Sequence, residues 1–300
     1  MELFAVLAGE TMNRRGRLVC LEPNPATAEL LCANLRAHGL TDASVVQAAA
    51  WSSTTALQFA PDQPGTAPAL GLPQPYPFRT ETALDHLGRR GFQPQVILDA
   101  GAAKGYWSEL ASHFFPQAQF YLLEPLSRNV PYLKELSGKF PNIHFISCTA
   151  GESQAGESQA ELFINVTPGS DGSSLLSSGR AGQPQDEKVK VVTIDSLLAN
   201  GTLRSPQLVK LAVQGYELRA LAGGVRLFDT TEVFLLEASL YEFLPGTPLF
   251  HEVVAYMAER GYVVFDVAGF LKRPFEDDLA KVELVFVKRD SPLVAGKPRR

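Results

Sequence analysis

Three hundred residues suffice for one large domain, or for one domain with part of a second. A formal net charge of -5 argues against a nucleic-acid-binding surface. The three cysteines, Cys20, Cys32 and Cys148, include no C-x-x-C pair, which argues against a disulfide framework and a structural zinc site; reduced thiols and no metal are expected.

The first residues, MELFAVLAGETMNRRGR, carry a short apolar patch with its charges behind it, whereas a signal peptide carries them in front. No apolar run approaches a membrane span. A cytoplasmic chain is therefore expected, with neither membrane nor nucleic acid as partner. LVCLEPNPATAELLCANL then reads as a strand, Leu-Glu-Pro and a helix, followed by strands in ASVVQAAAWSS and ALQF. Six prolines between positions 61 and 77 exclude a regular helix or central strand and read as a linker.

From Arg79 onward strand and helix patterns alternate. ETALDHLGRRGF is an amphipathic helix, VILDAG a buried strand, YWSELASHFF a helix, QFYLLEP a strand and SRNVPYLKELSGKF a helix. NIHFISCTA, ELFINV, VKVVTID and LVKLAV follow as strands, YELRALAGGVRLF as a helix and EVFLLEAS as a strand. LFHEVVAYMAERG is a helix with Leu249, Val253, Val254 and Met257 on one face. YVVFDV and KVELVFVKR close the series as an antiparallel hairpin. This alternation predicts an α/β protein with a mostly parallel, doubly wound sheet. The front piece repeats part of it: LVCLEP matches YLLEP, ASVVQAAAWSS matches IHFISCTAGES, and ALQF matches ELFI. The doubled GESQA at 151–160 reads as an exposed turn and lacks the G-x-S-x-G of a hydrolase nucleophile elbow.

The chemistry concentrates in VILDAGAAKGYWS, residues 96–108. A buried strand ends at Asp99, Gly101 and Gly105 allow a sharp turn, and a helix starts near Tyr106 with free N–H groups facing the bend. This is one edge of the nucleotide crevice in a doubly wound sheet. The spacing is neither G-x-G-x-x-G nor a P-loop, so it suits a nucleoside without phosphates and argues against a nucleotide-dependent oxidoreductase. Glu124 ends the neighbouring strand, where a carboxylate can accept hydrogen bonds from ribose hydroxyls. A capping role for Asp99 and a solvated strand end at Glu124 are the plainer alternatives.

On VILDAGAAKG, YLLEP, SDGSSLL, VVTIDSLL and LVKLAVQGYELRALAGG, in that order, residues 80–290 resemble the FkbM family of S-adenosylmethionine-dependent methyltransferases. The resemblance implies a Rossmann-like class I methyltransferase fold, with a seven-stranded sheet and an antiparallel C-terminal strand. It also implies O-methylation of a sugar or hydroxylated natural product. Carried over by position, Asp99, Gly101 and Gly105 would hold the methionine part and the loop around it, Glu124 the ribose, and Cys148, Thr149 and Ala150 would lie by the adenine, with Ala103 and Pro125 as further cofactor-binding residues.

The expected organisation is a truncated repeat at 1–60, a linker at 61–78, the methyltransferase domain at 79–290 and a basic tail at 291–300. Glu237 is the first candidate for the proton acceptor, with Glu217 and Asp171 behind it; a salt-bridged strand end is the alternative at Glu237. His251 reads as a surface or capping residue. Two positions depart from the family pattern: Ala212 stands where an aspartate is usual, and Ala103 where an asparagine is common. They keep open a second reading, a catalytically silent module that binds cofactor or a protein partner. The stretch 167–188 reads either as a lid or as a disordered loop. The expected ligands are S-adenosylmethionine and a small-molecule or glycan acceptor, and a homodimer is compatible with the chain.

Overall fold

Strands and helices follow one another much as their periodicity dictates. The computed structural model describes residues 18–22, 25–46, 79–152, 159–164, 174–176, 187–273 and 278–295. It divides into two units, Met1–Tyr76 and Pro77–Arg300.

In the smaller unit, β1 (Val19–Leu21) and β2 (Ser44–Val46) pair in parallel, with α1 (Pro25–Ala37) between them in sequence. Pro25 opens the helix, where its missing N–H costs nothing. Leu31, Leu35 and Leu40 form a small core with Leu18, Cys20 and Val45. Just past β1, the backbone N–H of Glu22 donates to Val46 O at 3.1 Å, and Glu22 is buried. The expectations for 1–17, for the strand in ALQF and for the proline-rich stretch lie outside the described residues.

The larger unit contains α2 (Thr80–Arg89), β3 (Val96–Ala100), α3 (Tyr106–Phe114), β4 (Gln119–Leu123), α4 (Val130–Lys139) and β5 (Ile143–Ile146). Next come β6 (Thr149–Ala150), β7 (Gln159–Ile164), β8 (Glu187–Val192), α5 (Ile194–Ala199), β9 (Leu208–Leu211), α6 (Glu217–Ala222) and α7 (Leu227–Thr230). β10 (Val233–Ser239), α8 (Phe250–Glu259), β11 (Tyr262–Lys272) and β12 (Leu279–Lys288) complete it. Seven strands form one sheet in the order β11-β12-β10-β9-β3-β4-β5. β12 runs antiparallel to both of its neighbours, and the pairs from β10 to β5 are parallel. This is the class I methyltransferase arrangement that the resemblance implied.

Central strands buried on both faces read as continuous apolar runs, and VILDA is buried throughout. One face packs Ile97, Leu208, Leu235 and Val285 against Leu84 and Leu87 of α2 and Ala111 of α3. The other packs Leu98, Val209, Phe234 and Leu284 against Leu197 of α5, Leu221 of α6 and Met257 of α8. Burying each such side chain contributes about 1.5–3 kcal/mol relative to exposure. On α8, Val253 and Met257 face this core, while Val254 is half-buried.

Two expected elements divide. NIHFISCTA is not one strand: β5 ends at Ile146, and Thr149–Ala150 instead pairs with β8 in a separate three-stranded sheet, β6-β8-β7. The helix expected in YELRALAGGVRLF breaks into α6 and α7 at Gly223–Gly224. A Cβ at Gly223 would lie 1.9 Å from Gly151 O, so the helix ends where two backbones meet.

Candidate cofactor and acceptor site

At the carboxyl end of β3 the chain turns through two left-handed residues, Gly101 (φ 81°) and Ala103 (φ 48°), and Gly105 (φ 83°) leads into α3. A Cβ on Gly101 would lie 2.2 Å from Ala212 O, so only glycine lets the bend approach the end of β9. Ala103 adopts the same left-handed conformation with its Cβ in place. An asparagine tolerates that region better than an alanine.

Glu124, one residue beyond β4, reaches back to this bend. Its Oε2 accepts the N–H of Ala103 at 2.8 Å, and its Oε1 accepts Leu126 N at 3.0 Å and Asn129 Nδ2 at 3.1 Å. A carboxylate offers about four acceptor positions, so one remains, on Oε2. Burial pushes the Glu124 pKa up, against the pull of the Leu126, Asn129 and Ala103 donors, and the charge of Asp99 adds to the rise. Beside this contact lies a small, partly open cleft that both the bend and the carboxylate line. Gly101, Ala103, Glu124, Pro125, Thr149 and Ala212 are among its walls, with Leu126, Arg128, Asn129, Leu175, Val213 and Gln214.

Five of the residues expected to hold cofactor therefore meet at one cleft: Gly101, Ala103, Glu124, Pro125 and Thr149. The other four do not line it. Asp99 is fully buried beneath the bend, where Ser108 Oγ donates to Oδ2 at 2.7 Å and Lys210 Nζ to Oδ1 at 3.0 Å. Gly105 packs against Leu133 and Leu136. Cys148 and Ala150 belong to the apolar core, and burial pushes the Cys148 thiol up to about 12. Periodicity extended one strand from Ile143 to Ala150, and its interruption after Ile146 turns these side chains away.

On the α2–α3 side of the sheet, strand pairing gathers a charged group whose members lie far apart in sequence. In register, Asp99 faces Lys210, and Glu237 faces Glu283 directly across the β10–β12 pair. Like charges so placed repel. Lys281 Nζ relieves Glu237 by donating to its Oε1 at 2.6 Å, and Thr80 Oγ1 donates to Glu283 Oε2 at 2.8 Å. Burial raises the Glu283 pKa, opposed by Thr80 and by Lys210, with Glu237 and Asp99 adding to the rise. Burial disfavours the Lys210 ammonium, but its net shift is upward, because Asp99 stabilises the charge by field and hydrogen bond. The one legible signal was a lysine within the apolar run LVKLAV, since lysines are almost never buried without a partner.

The three candidate bases fare differently. Glu237, at the carboxyl end of β10, is partly buried and salt-bridged to Lys281. The same ammonium donates to Gln214 Oε1 at 2.6 Å, and Gln214 lines the cleft. The salt-bridged alternative and the proximity to the cleft thus hold together. Glu217 is 2% exposed, and its Oε1 accepts Val213 N at 3.0 Å and Gly215 N at 3.2 Å. It organises the Val213–Gly215 turn and does not line the cleft. Asp171 lies outside the described residues. His251 is exposed, as its surface reading requires.

Residues 99–264 match the model of the methyltransferase FkbM domain. No curated protein matches the chain. Among solved structures, it is similar to a precorrin-6y C5,15-methyltransferase from Geobacter metallireducens at 15% identity, over 69% of this chain and 88% of that one, with a TM-score of 0.38. A Burkholderia thailandensis 1,6-didemethyltoxoflavin-N1-methyltransferase, solved with S-adenosylhomocysteine, is 13% identical over 70% of this chain and 77% of that one, at 0.39. Aeropyrum pernix fibrillarin, solved with natively bound S-adenosyl-L-methionine, is 12% identical over 69% and 76%, also at 0.39.

Proposed function

The chain belongs to the FkbM methyltransferase family, and on that premise we propose that it moves a methyl group from S-adenosylmethionine to a hydroxyl oxygen of a sugar or natural product. The observation that carries this reading is the Glu124 carboxylate held on the Ala103 N–H at the wall of a cleft that both residues line. The donor set fits a nucleoside. One acceptor position on Glu124 Oε2 suits a ribose hydroxyl, Leu175 and Val213 offer apolar walls, and the Glu124 carboxylate in the cleft wall disfavours a pyrophosphate. Thr149, at the far wall, would meet the base.

The cofactor supplies an activated methyl on a sulfonium, so the chain's own task is alignment and proton removal. Glu237 is the proton acceptor in this reading. Lys281 holds it beside Gln214, at the carboxyl ends of β9 and β10 where the acceptor must lie for in-line attack. General-base assistance contributes ~10²–10⁴-fold in rate. The test is calorimetry with S-adenosylhomocysteine, followed by labelled cofactor with a panel of hydroxylated acceptors. Micromolar binding with product formation is expected, and absence of binding would end the reading.

Ala212 supports the second reading, a silent module. It lines the cleft and offers neither a proton acceptor nor a metal ligand. If methyl transfer appears only in the A212D variant, that second reading replaces the first. For the front piece we propose a truncated methyltransferase repeat at 1–60, joined by a linker at 61–78 to the domain at 79–290, with a basic tail at 291–300. Glu22 N donates to Val46 O and Glu124 N to Ile146 O, each one residue past a strand in a parallel βαβ unit. That likeness supports the proposal.

A further inference from the structure

Resting on the methyltransferase reading, we propose that Tyr241 and Phe243 form the wall against which the acceptor's hydroxylated ring stacks. Both side chains are largely exposed, at 40% and 45%, although their ring centroids are only 6.2 Å apart in an edge-to-face pair. Neither ring belongs to the apolar core, and the segment after β10 is anchored elsewhere: Thr247 is buried, and Glu242 Oε1 accepts Gly246 N at 2.8 Å, while the Arg273 guanidinium stands 5.5 Å from the Tyr241 ring centroid.

Their position is the second observation. They follow the carboxyl end of β10, two and four residues after Ser239. Lys281 Nζ stands 5.9 Å from the Phe243 ring centroid while bonded to Glu237 and Gln214. A single ammonium therefore links the surroundings of Phe243, the proposed proton acceptor and a residue of the cofactor cleft. An apolar wall beside a few convergent polar groups is how small-molecule sites fix a ligand. The wall takes the C–H face of a saturated ring, and the carboxylate, amide and ammonium beside it suit several hydroxyls better than one. A pyranose-type ring meets both demands, with the hydroxyl to be methylated turned toward Glu237.

The probe is a panel of methyl pyranosides added to the full chain with S-adenosylhomocysteine, followed by saturation-transfer NMR with irradiation of aromatic protons. Ring C–H signals are expected from at least one pyranoside in the wild type. They should fall about tenfold in the Y241A/F243A double variant and survive in Y241F and F243Y. Affinity for S-adenosylhomocysteine should stay within twofold in every variant, since neither ring lines the cofactor cleft. Undiminished transfer in the double alanine variant overturns the proposal. So does a silent panel, or a panel outdone by a planar catechol, while the cofactor product still binds. Failure of the wild type to bind S-adenosylhomocysteine is a different result: it removes the underlying function.

Discussion

The backbone N–H of Ala103 donates to the carboxylate of Glu124 at 2.8 Å, tying the bend after β3 to the end of β4. One carboxylate thus organises the cleft and keeps one acceptor position for a ligand. E124A strands the N–H groups of Ala103 and Leu126, at about 1–3 kcal/mol for each donor left buried and unpaired. We expect at least a hundredfold loss of S-adenosylhomocysteine affinity by calorimetry, and a lower melting temperature. E124Q retains acceptor oxygens and should lose less of both.

Ala103 carries a Cβ in the left-handed region, at φ 48°. Such a residue costs roughly 1–2 kcal/mol, which glycine avoids and asparagine lessens. A103G and A103N should each raise stability by about 1 kcal/mol, a rise of ~2–4 °C for a unit of this size. Thermal denaturation checks this, and a fall in melting temperature would show that the Ala103 methyl makes contacts outweighing its backbone strain.

Burial, reinforced by the charge of Glu237, raises the Glu217 pKa from 4.5 to about 7. Because the folded state holds its proton more tightly than the unfolded state, this group's stabilisation is complete below pH ~4.5 and is lost as pH rises through about 7. The loss amounts to no more than about 3 kcal/mol. E217Q, which cannot ionise, should show a flatter stability profile between pH 5 and pH 8 and overtake the wild type near pH 8. Urea midpoints across that range decide it; parallel profiles would contradict the assignment.

E237Q removes the proposed proton acceptor but keeps its shape. Turnover should fall by ~10²–10⁴-fold, with S-adenosylhomocysteine affinity unchanged. Undiminished turnover would assign Glu237 to the salt bridge with Lys281 alone.

The Asp99–Lys210 pair lies beneath the bend, and Lys210 Nζ also approaches Gly101 O at 3.4 Å. K210M leaves a buried carboxylate unpaired, at a cost of about 3–5 kcal/mol. The D99N/K210M double variant should recover more than half of that loss. Equal destabilisation in both variants would mean that Lys210 acts through packing, not charge.

The alternation of apolar runs and helical stripes predicted the α/β architecture, and the bend spacing with Glu124 predicted the cleft. Both are local: a strand end, a turn glycine and the next strand's carboxylate lie within 25 residues, so their geometry follows from short-range backbone rules. NIHFISCTA misled because period-2 patterning persists through Ala150, although the main-sheet pairing stops at Ile146.

By itself, then, the amino-acid order determined the strand–helix series, the turn at Gly101 and the carboxylate beside it. The grouping of Asp99, Lys210, Glu237, Lys281 and Glu283 was decided only by tertiary pairing. β12, last in sequence, inserts between β11 and β10 and carries Lys281 and Glu283 to Glu237. No sequence period encodes which strands become neighbours. That choice follows from burying both faces of the sheet at once, and it sets these charges beside the cleft.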